Sequence, residues 1–197
     1  MQLVPKFEEV HLTDFLEFDE KAFNNFKTEC EQDVQKTLNE MNTRHIEFSG
    51  QMCKGLKEGK GGFTDKASDD FFHGSWLSNQ KNGYGIQFFG SNSNKINFPL
   101  LEEMARVSRQ EIRPVVYKGH WNGNQMAGEG FLKFSNDLII YAEFSQGELR
   151  DTKIQILYPN GDIYCGKHKG GIKNGEGNYK YKSSSVKYIG DWKDDKK

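Results

Sequence analysis

The residues able to do chemistry are few, and their spacing does not suit it. Five histidines, His11, His45, His73, His120 and His168, are scattered along 197 residues, and no two stand within helical reach of each other. Cys30, Cys53 and Cys165 form no Cys-x-x-Cys pair and no zinc-ligand pattern. Gly59-Lys60-Gly61-Gly62 and Gly83-Tyr84-Gly85 have the glycine density of a phosphate-cradling loop. They lack the Gly-Lys-Ser/Thr ending and the strand–loop–helix setting that such a loop needs. No Ser/His/Asp set, paired-acid motif or nucleophile elbow is present. The sequence therefore points away from catalysis, and neither cofactor nor metal is expected.

Charge and hydropathy narrow the partners. The net charge of −1 argues against nucleic acid, and no run approaches the roughly 18 apolar residues of a membrane span. The start Met1-Gln-Leu-Val-Pro-Lys-Phe-Glu-Glu lacks the features of a secretory signal, and an odd number of cysteines suits a reducing cytoplasm. The neutral total hides an asymmetry. Residues 1–45 hold ten acids and five bases, which leaves 22 bases against 18 acids in the rest. From Lys153 to Lys197 ten lysines meet five acids. That basic end could face anionic lipid, acidic tubulin surfaces or the acidic head, or simply form a solvated sheet edge that resists aggregation.

Glycine marks the elements. All 21 glycines fall between Gly50 and Gly90 or between Gly119 and Gly190. Glycine is disfavoured in regular helices, so the glycine-free stretches 1–49 and 91–118 predict helical segments. In the first, Thr13 is an N-cap candidate, followed by apolar residues at Phe15, Phe18, Ala22, Phe26, Cys30, Val34, Leu38 and Met41. A helix over 14–42 would be about 43 Å long. Its stripe, with Phe15, Phe18 and Phe26, either docks a partner or packs on the chain's own β body.

The glycine-rich stretches repeat. An aromatic, one residue, then Gly recurs at Phe48/Gly50, Phe72/Gly74, Tyr117/Gly119, Tyr164/Gly166 and Tyr188/Gly190, with Tyr141-Ala-Glu143 as a copy that has lost its Gly. The starts are separated by 24, 45, 24, 23 and 24 residues. Four residues after the aromatic stand Trp76, Trp121 and Trp192, with Met52, Ser145 and His168 in the other copies. Glycines follow at offsets 11 and 13: Gly59 and Gly61, Gly83 and Gly85, Gly128 and Gly130, Gly175 and Gly177, but Thr152 and Ile154 in the fourth copy. Each unit reads as two strands, with paired glycines leaving bare backbone under a large ring. Stacked units give an antiparallel meander.

This pattern resembles the MORN (membrane occupation and recognition nexus) repeat over residues 48–197. The fold expected is mostly β, an elongated array of β-hairpins, with a head helix over 1–45 and an array over 46–197. The interval of 45 leaves 21 residues beyond one unit. Within it, Leu100, Leu101 and Met104 lie on one face of a predicted inserted helix over 97–113, with one wholly degenerate repeat as the alternative reading. These three residues are further candidates for docking a partner. The resemblance implies a non-catalytic scaffold of a cytoskeletal assembly, such as the axoneme of a cilium or flagellum, with other proteins of a large assembly as partners. Its alternative implication is a membrane-associated adaptor that contacts anionic phospholipid peripherally through the Lys-rich C-terminal repeats.

Overall fold

The computed structural model describes residues 47–91, 93, 96, 98–108, 111–184 and 186–197, together with residues 25, 28, 29, 31–33, 35 and 36. The described head residues are helical. Phe15, Phe18 and Phe26 lie outside the described residues.

Eleven strands form one open antiparallel sheet in chain order. They are β1 Phe48–Cys53, β2 Leu56–Asp65, β3 Asp70–Leu77, β4 Gln80–Phe88, β5 Pro114–Asn122, β6 Gln125–Phe134, β7 Ile139–Ser145, β8 Glu148–Leu157, β9 Ile163–Lys169, β10 Ile172–Lys180 and β11 Lys187–Trp192. At about 4.8 Å per step the outer strands stand about 48 Å apart. One helix, α1 (Pro99–Ser108), leaves the sheet between β4 and β5, which pair directly across the insertion.

Turn chemistry sets the meander. Five hairpins close on two residues that both have positive φ: Lys54-Gly55, Ser78-Asn79, Gly123-Asn124, Gln146-Gly147 and Gly170-Gly171. Asp194-Asp195 repeats the geometry after β11. This is the type I′ turn, whose twist matches that of the flanking strands. Three of the turns tie neighbouring units together through both a backbone and a side-chain hydrogen bond. Asn79, Asn124 and Asp195 each donate a backbone N–H to the carbonyl of Lys57, Lys81 and Lys173, all at 3.1 Å. Their side-chain oxygens accept the N–H of the same lysines at 2.8, 2.9 and 2.9 Å.

A row of glycines crosses the sheet. Gly50, Gly61, Gly74 and Gly85 are successive Cα partners across β1–β4, and Gly85 continues to Gly119 and Gly130. Gly166, Gly177 and Gly190 resume the row on β9–β11. Rings lie over it. A Cβ on Gly130 would stand 2.4 Å from the Tyr117 ring, one on Gly85 2.5 Å from Phe72, and one on Gly177 2.5 Å from Tyr164. The two glycines of each Gly-x-Gly therefore do different work. The second makes room for the ring. The first, Gly59, Gly83, Gly128 or Gly175, has φ between +58° and +92°, sits opposite the Trp phase of the next unit, and lies where the register with its own unit's first strand slips.

Indoles and rings then interlock edge to face. Trp76 stands 5.8 and 5.2 Å from the Phe48 and Phe72 centroids, and Trp121 stands 5.4 and 5.1 Å from Phe72 and Tyr117. Trp192 stands 5.6 and 5.1 Å from Tyr164 and Tyr188. Tyr117, Tyr164 and Tyr188 donate their hydroxyls to the carbonyls of His120, Lys167 and Asp191, three residues on, at 3.1, 2.5 and 2.9 Å. Burial raises the Tyr117 and Tyr164 hydroxyl pKa values, so both stay protonated.

The fourth unit starts one residue earlier than its aromatic suggests. Ile140, Ala142 and Phe144 share the ring face, whereas Tyr141 points to the opposite face and donates to Glu129 at 3.3 Å. A one-residue slip exchanges faces, so Tyr141 is not the equivalent of Tyr117. Ala142 pairs with Ile154, which fills the place of a glycine. Ring and glycines are lost together because Ile154 occupies the volume that a Tyr ring takes elsewhere.

α1 is shorter than the predicted 97–113. Pro99 is its first residue, and the Phe98 carbonyl accepts the N–H groups of Leu101 and Glu102. The helix ends at Ser108, and Pro114 instead opens β5. Leu100 and Leu101 are 3% and 4% exposed, buried in this chain's own core. They are not free to dock a partner, because the ring face of the sheet already covers them. Met104 packs partly against the same cluster. Phe98 meets Phe144 at 6.5 Å, and Pro99 and Leu100 lie against Gly170 and Gly171. α1 thus roofs the middle of the ring face.

Candidate interaction surface

Nine residues after the ring position come Lys57, Lys81, Met126, Leu149, Lys173 and Lys197, counting the fourth unit from Ile140. In the third and fourth units this phase is apolar: Met126 is buried and Leu149 packs on the core. In the other units it is lysine, and each ammonium stands over rings. Lys57 Nζ is 3.7 Å from the Phe63 centroid and 4.9 Å from Trp76. Lys81 is 4.9 Å from Trp121, and Lys173 is 5.1 Å from Trp192. Lys197 is 4.8 Å from Tyr181 and 5.0 Å from Tyr188. Lysine stems and charges thus cover aromatic surface in these units. The signal was in the sequence as a fixed offset, but lysines summed as charge conceal it.

The two ends of the array remain partly open. Met52, Leu56 and Leu77 are 55%, 39% and 52% exposed at the β1–β3 end, and Val186 and Ile189 are 58% and 63% exposed beside β11. The opposite face of β8–β11 carries Lys153, Lys167, Lys180 and Lys187 at alternating positions, with Ile189 among them. Nearer the middle of that face, Ile86, Val116, Phe131, Ile139 and Ile163 are buried, as is Lys118. Asp33 of the head meets the Lys118 ammonium there at 2.6 Å.

Each repeat residue singled out from the sequence, from Phe48 and Gly50 to Gly190 and Trp192, lies in the one sheet, and the rings converge on one face. His168 fills the Trp phase of the fifth unit. It is buried, accepts the Gly171 N–H at Nδ1 (3.0 Å), and has its pKa lowered by desolvation. Cys165, three residues before it, points to the opposite face of β9 and is a free thiol whose pKa burial raises. Among the described residues no group of three His, Cys, Asp or Glu is placed to hold a metal ion. No helix among them is long and apolar enough to cross a membrane.

No curated protein matches the chain. A family model described as MORN repeat matches residues 72–93, 117–138 and 188–197. Those segments open on Phe72, Tyr117 and Tyr188, three of the rings that lie over the glycine row. The MORN repeat is a non-enzymatic module that binds proteins or membranes. These three segments match the MORN repeat, and the open eleven-stranded β-meander that holds them is consistent with a MORN repeat array.

Proposed function

We propose that the chain is a structural scaffold whose array binds other proteins of a cytoskeletal assembly, with the axoneme of a cilium or flagellum as its setting. One observation carries the reading. The ring face is roofed in the middle by the chain's own α1, while exposed apolar residues gather at the two ends, Met52 and Leu77 at one and Ile189 at the other. A rigid sheet about 48 Å across with apolar ends suits a spacer that holds two partners apart. The axonemal setting rests on resemblance to MORN proteins of such assemblies. Co-sedimentation of the chain with axonemal microtubule fractions tests it. Retention that fails with Leu77→Asp or Ile189→Asp is expected; a chain that stays in the supernatant contradicts it.

A second reading is a peripheral adaptor on anionic membrane. It is favoured by Lys153, Lys167, Lys180 and Lys187 on one face beside exposed Ile189. Attraction is worth about 1 kcal/mol per basic residue near such a surface. Flotation with phosphatidylserine vesicles that is lost on raising the salt supports this reading, and no flotation at low salt removes it.

A further inference from the structure

Two of the three tryptophans satisfy their indole N–H in the same way. Trp76 donates to the Gly61 carbonyl at 2.9 Å, and Trp192 donates to the Gly177 carbonyl at 3.3 Å. Trp121 has the same phase and is 6% exposed, yet its Nε1 has no partner among the described residues. A buried N–H left unpaired costs about 1–3 kcal/mol, which calls for a reason.

Beside Trp121 lies an open cavity of 440 Å³. Asp70, Lys81, Gln87, Trp121 and Met126 are among its lining residues, with Gln125 and Gln146 from the neighbouring turns. The Lys81 ammonium lies 5.2 and 4.9 Å from the Phe72 and Trp121 centroids and donates to Gln87 Oε1. Gln87 is held in that orientation because its Nε2 donates to Asp70 Oδ2 at 2.9 Å. The other Asp70 oxygen is taken by the Gly90 N–H and the Ser93 hydroxyl. The Asp70 carboxylate is therefore committed to these neighbours, and Lys81 has no ion-pair partner among the described residues. Burial lowers its pKa to about 8, against the opposing influence of Asp70 and Asp65 and with that of Lys57.

We propose that this cavity receives the carboxylate of an acidic side chain on a partner protein, with an adjacent apolar side chain of that segment packing on Met126. Among the described residues the Lys81 ammonium has no counter-ion and the Trp121 N–H no acceptor, and Phe89, Ile96 and Met126 supply apolar wall beside them. A carboxylate on an apolar stem is complementary to all three features. The protein source rests on the protein-binding reading above, and the open mouth suits a protruding side chain.

NMR titration of the intact chain, following the Trp121 indole N–H, tests the proposal. The probes are the peptides Ac-Leu-Glu-Phe-NH2 and Ac-Leu-Gln-Phe-NH2. The Glu peptide is expected to move that resonance and to bind at least tenfold more tightly than the Gln peptide. Lys81→Met should lose tenfold or more, Lys81→Arg should recover part of the loss, and Lys57→Met, in the same phase one unit away, should change nothing. Because only the ammonium form pairs with a carboxylate, affinity should be flat up to about pH 7 and fall as pH rises through about 8. Equal binding of the two peptides, an unmoved Trp121 signal, or the same loss in Lys57→Met would overturn the site. Tighter binding of free 3-phenylpropionate than of the Glu peptide would overturn its assignment to a protein segment. Failure here leaves the scaffold reading standing, since retention on axonemal fractions is measured separately and through the ends of the array.

Discussion

At the residue scale the repeat is a bargain between a ring and a missing Cβ. Gly130→Ala puts a methyl 2.4 Å from Tyr117, a ring that is fully buried and cannot retreat. A loss of about 3 kcal/mol is expected in urea unfolding, at the upper end for an overpacked core. Gly147→Ala meets nothing within 4 Å and strains only its φ of +83°, so about 1 kcal/mol should be lost. The fourth unit supplies the rescue. Tyr117→Leu combined with Gly130→Ala should recover much of the loss, as Ile140, Ala142 and Ile154 coexist there; a double variant no better than the single one would contradict this explanation of the glycines. His168 gives a pH test. Its folded pKa lies below the ordinary 6.5, so the unfolded chain takes up the proton first. Its contribution is complete above about 6.5 and is lost as pH falls, because the imidazolium cannot accept the Gly171 N–H. Thermal midpoints should drop more between pH 7.5 and 5.5 for the wild type than for His168→Gln.

At the element scale, turns and lids couple the units. Asn124 supplies a positive φ of 69° and caps both backbone groups of Lys81. Asn124→Ala should cost about 1–2 kcal/mol, whereas Asn124→Gly, which keeps the turn and loses only the side-chain acceptor, should cost less. Leu100→Ala removes a buried side chain of α1 and should cost about 2–4 kcal/mol while increasing binding of a hydrophobic dye to the uncovered ring face. Much of this level was legible in advance. Fixed offsets revealed strands, rings and glycines, since each reports a local steric demand. What escaped was relational. Tyr141 looked like a repeat aromatic, because period-2 spacing alone does not say which face a residue takes. Leu100 and Leu101 looked free for a partner, because an amphipathic helix has the same spacing whether it covers its own sheet or another protein. The lysines over the rings escaped because composition treats them as charge.

At the scale of the whole molecule, one sheet carries a partly covered ring face and an opposite face that meets the head. Asp33 and Lys118 bridge head and sheet, with Lys118 6% and Asp33 34% exposed. A double-mutant cycle with Asp33→Asn and Lys118→Met should show a coupling of about 1–2 kcal/mol, reduced from a fully buried pair by the exposure of Asp33. Zero coupling would detach the head from this face. The central claim is that the array holds partner proteins at its two ends. Crosslinking mass spectrometry on the native assembly tests it most directly, with Lys54 and Lys57 reporting one end and Lys193 and Lys196 the other. The account predicts crosslinks from the two ends to different proteins, while Lys36 of the head links back to the array. Crosslinks confined to the chain itself, with both ends silent toward other proteins, would contradict it.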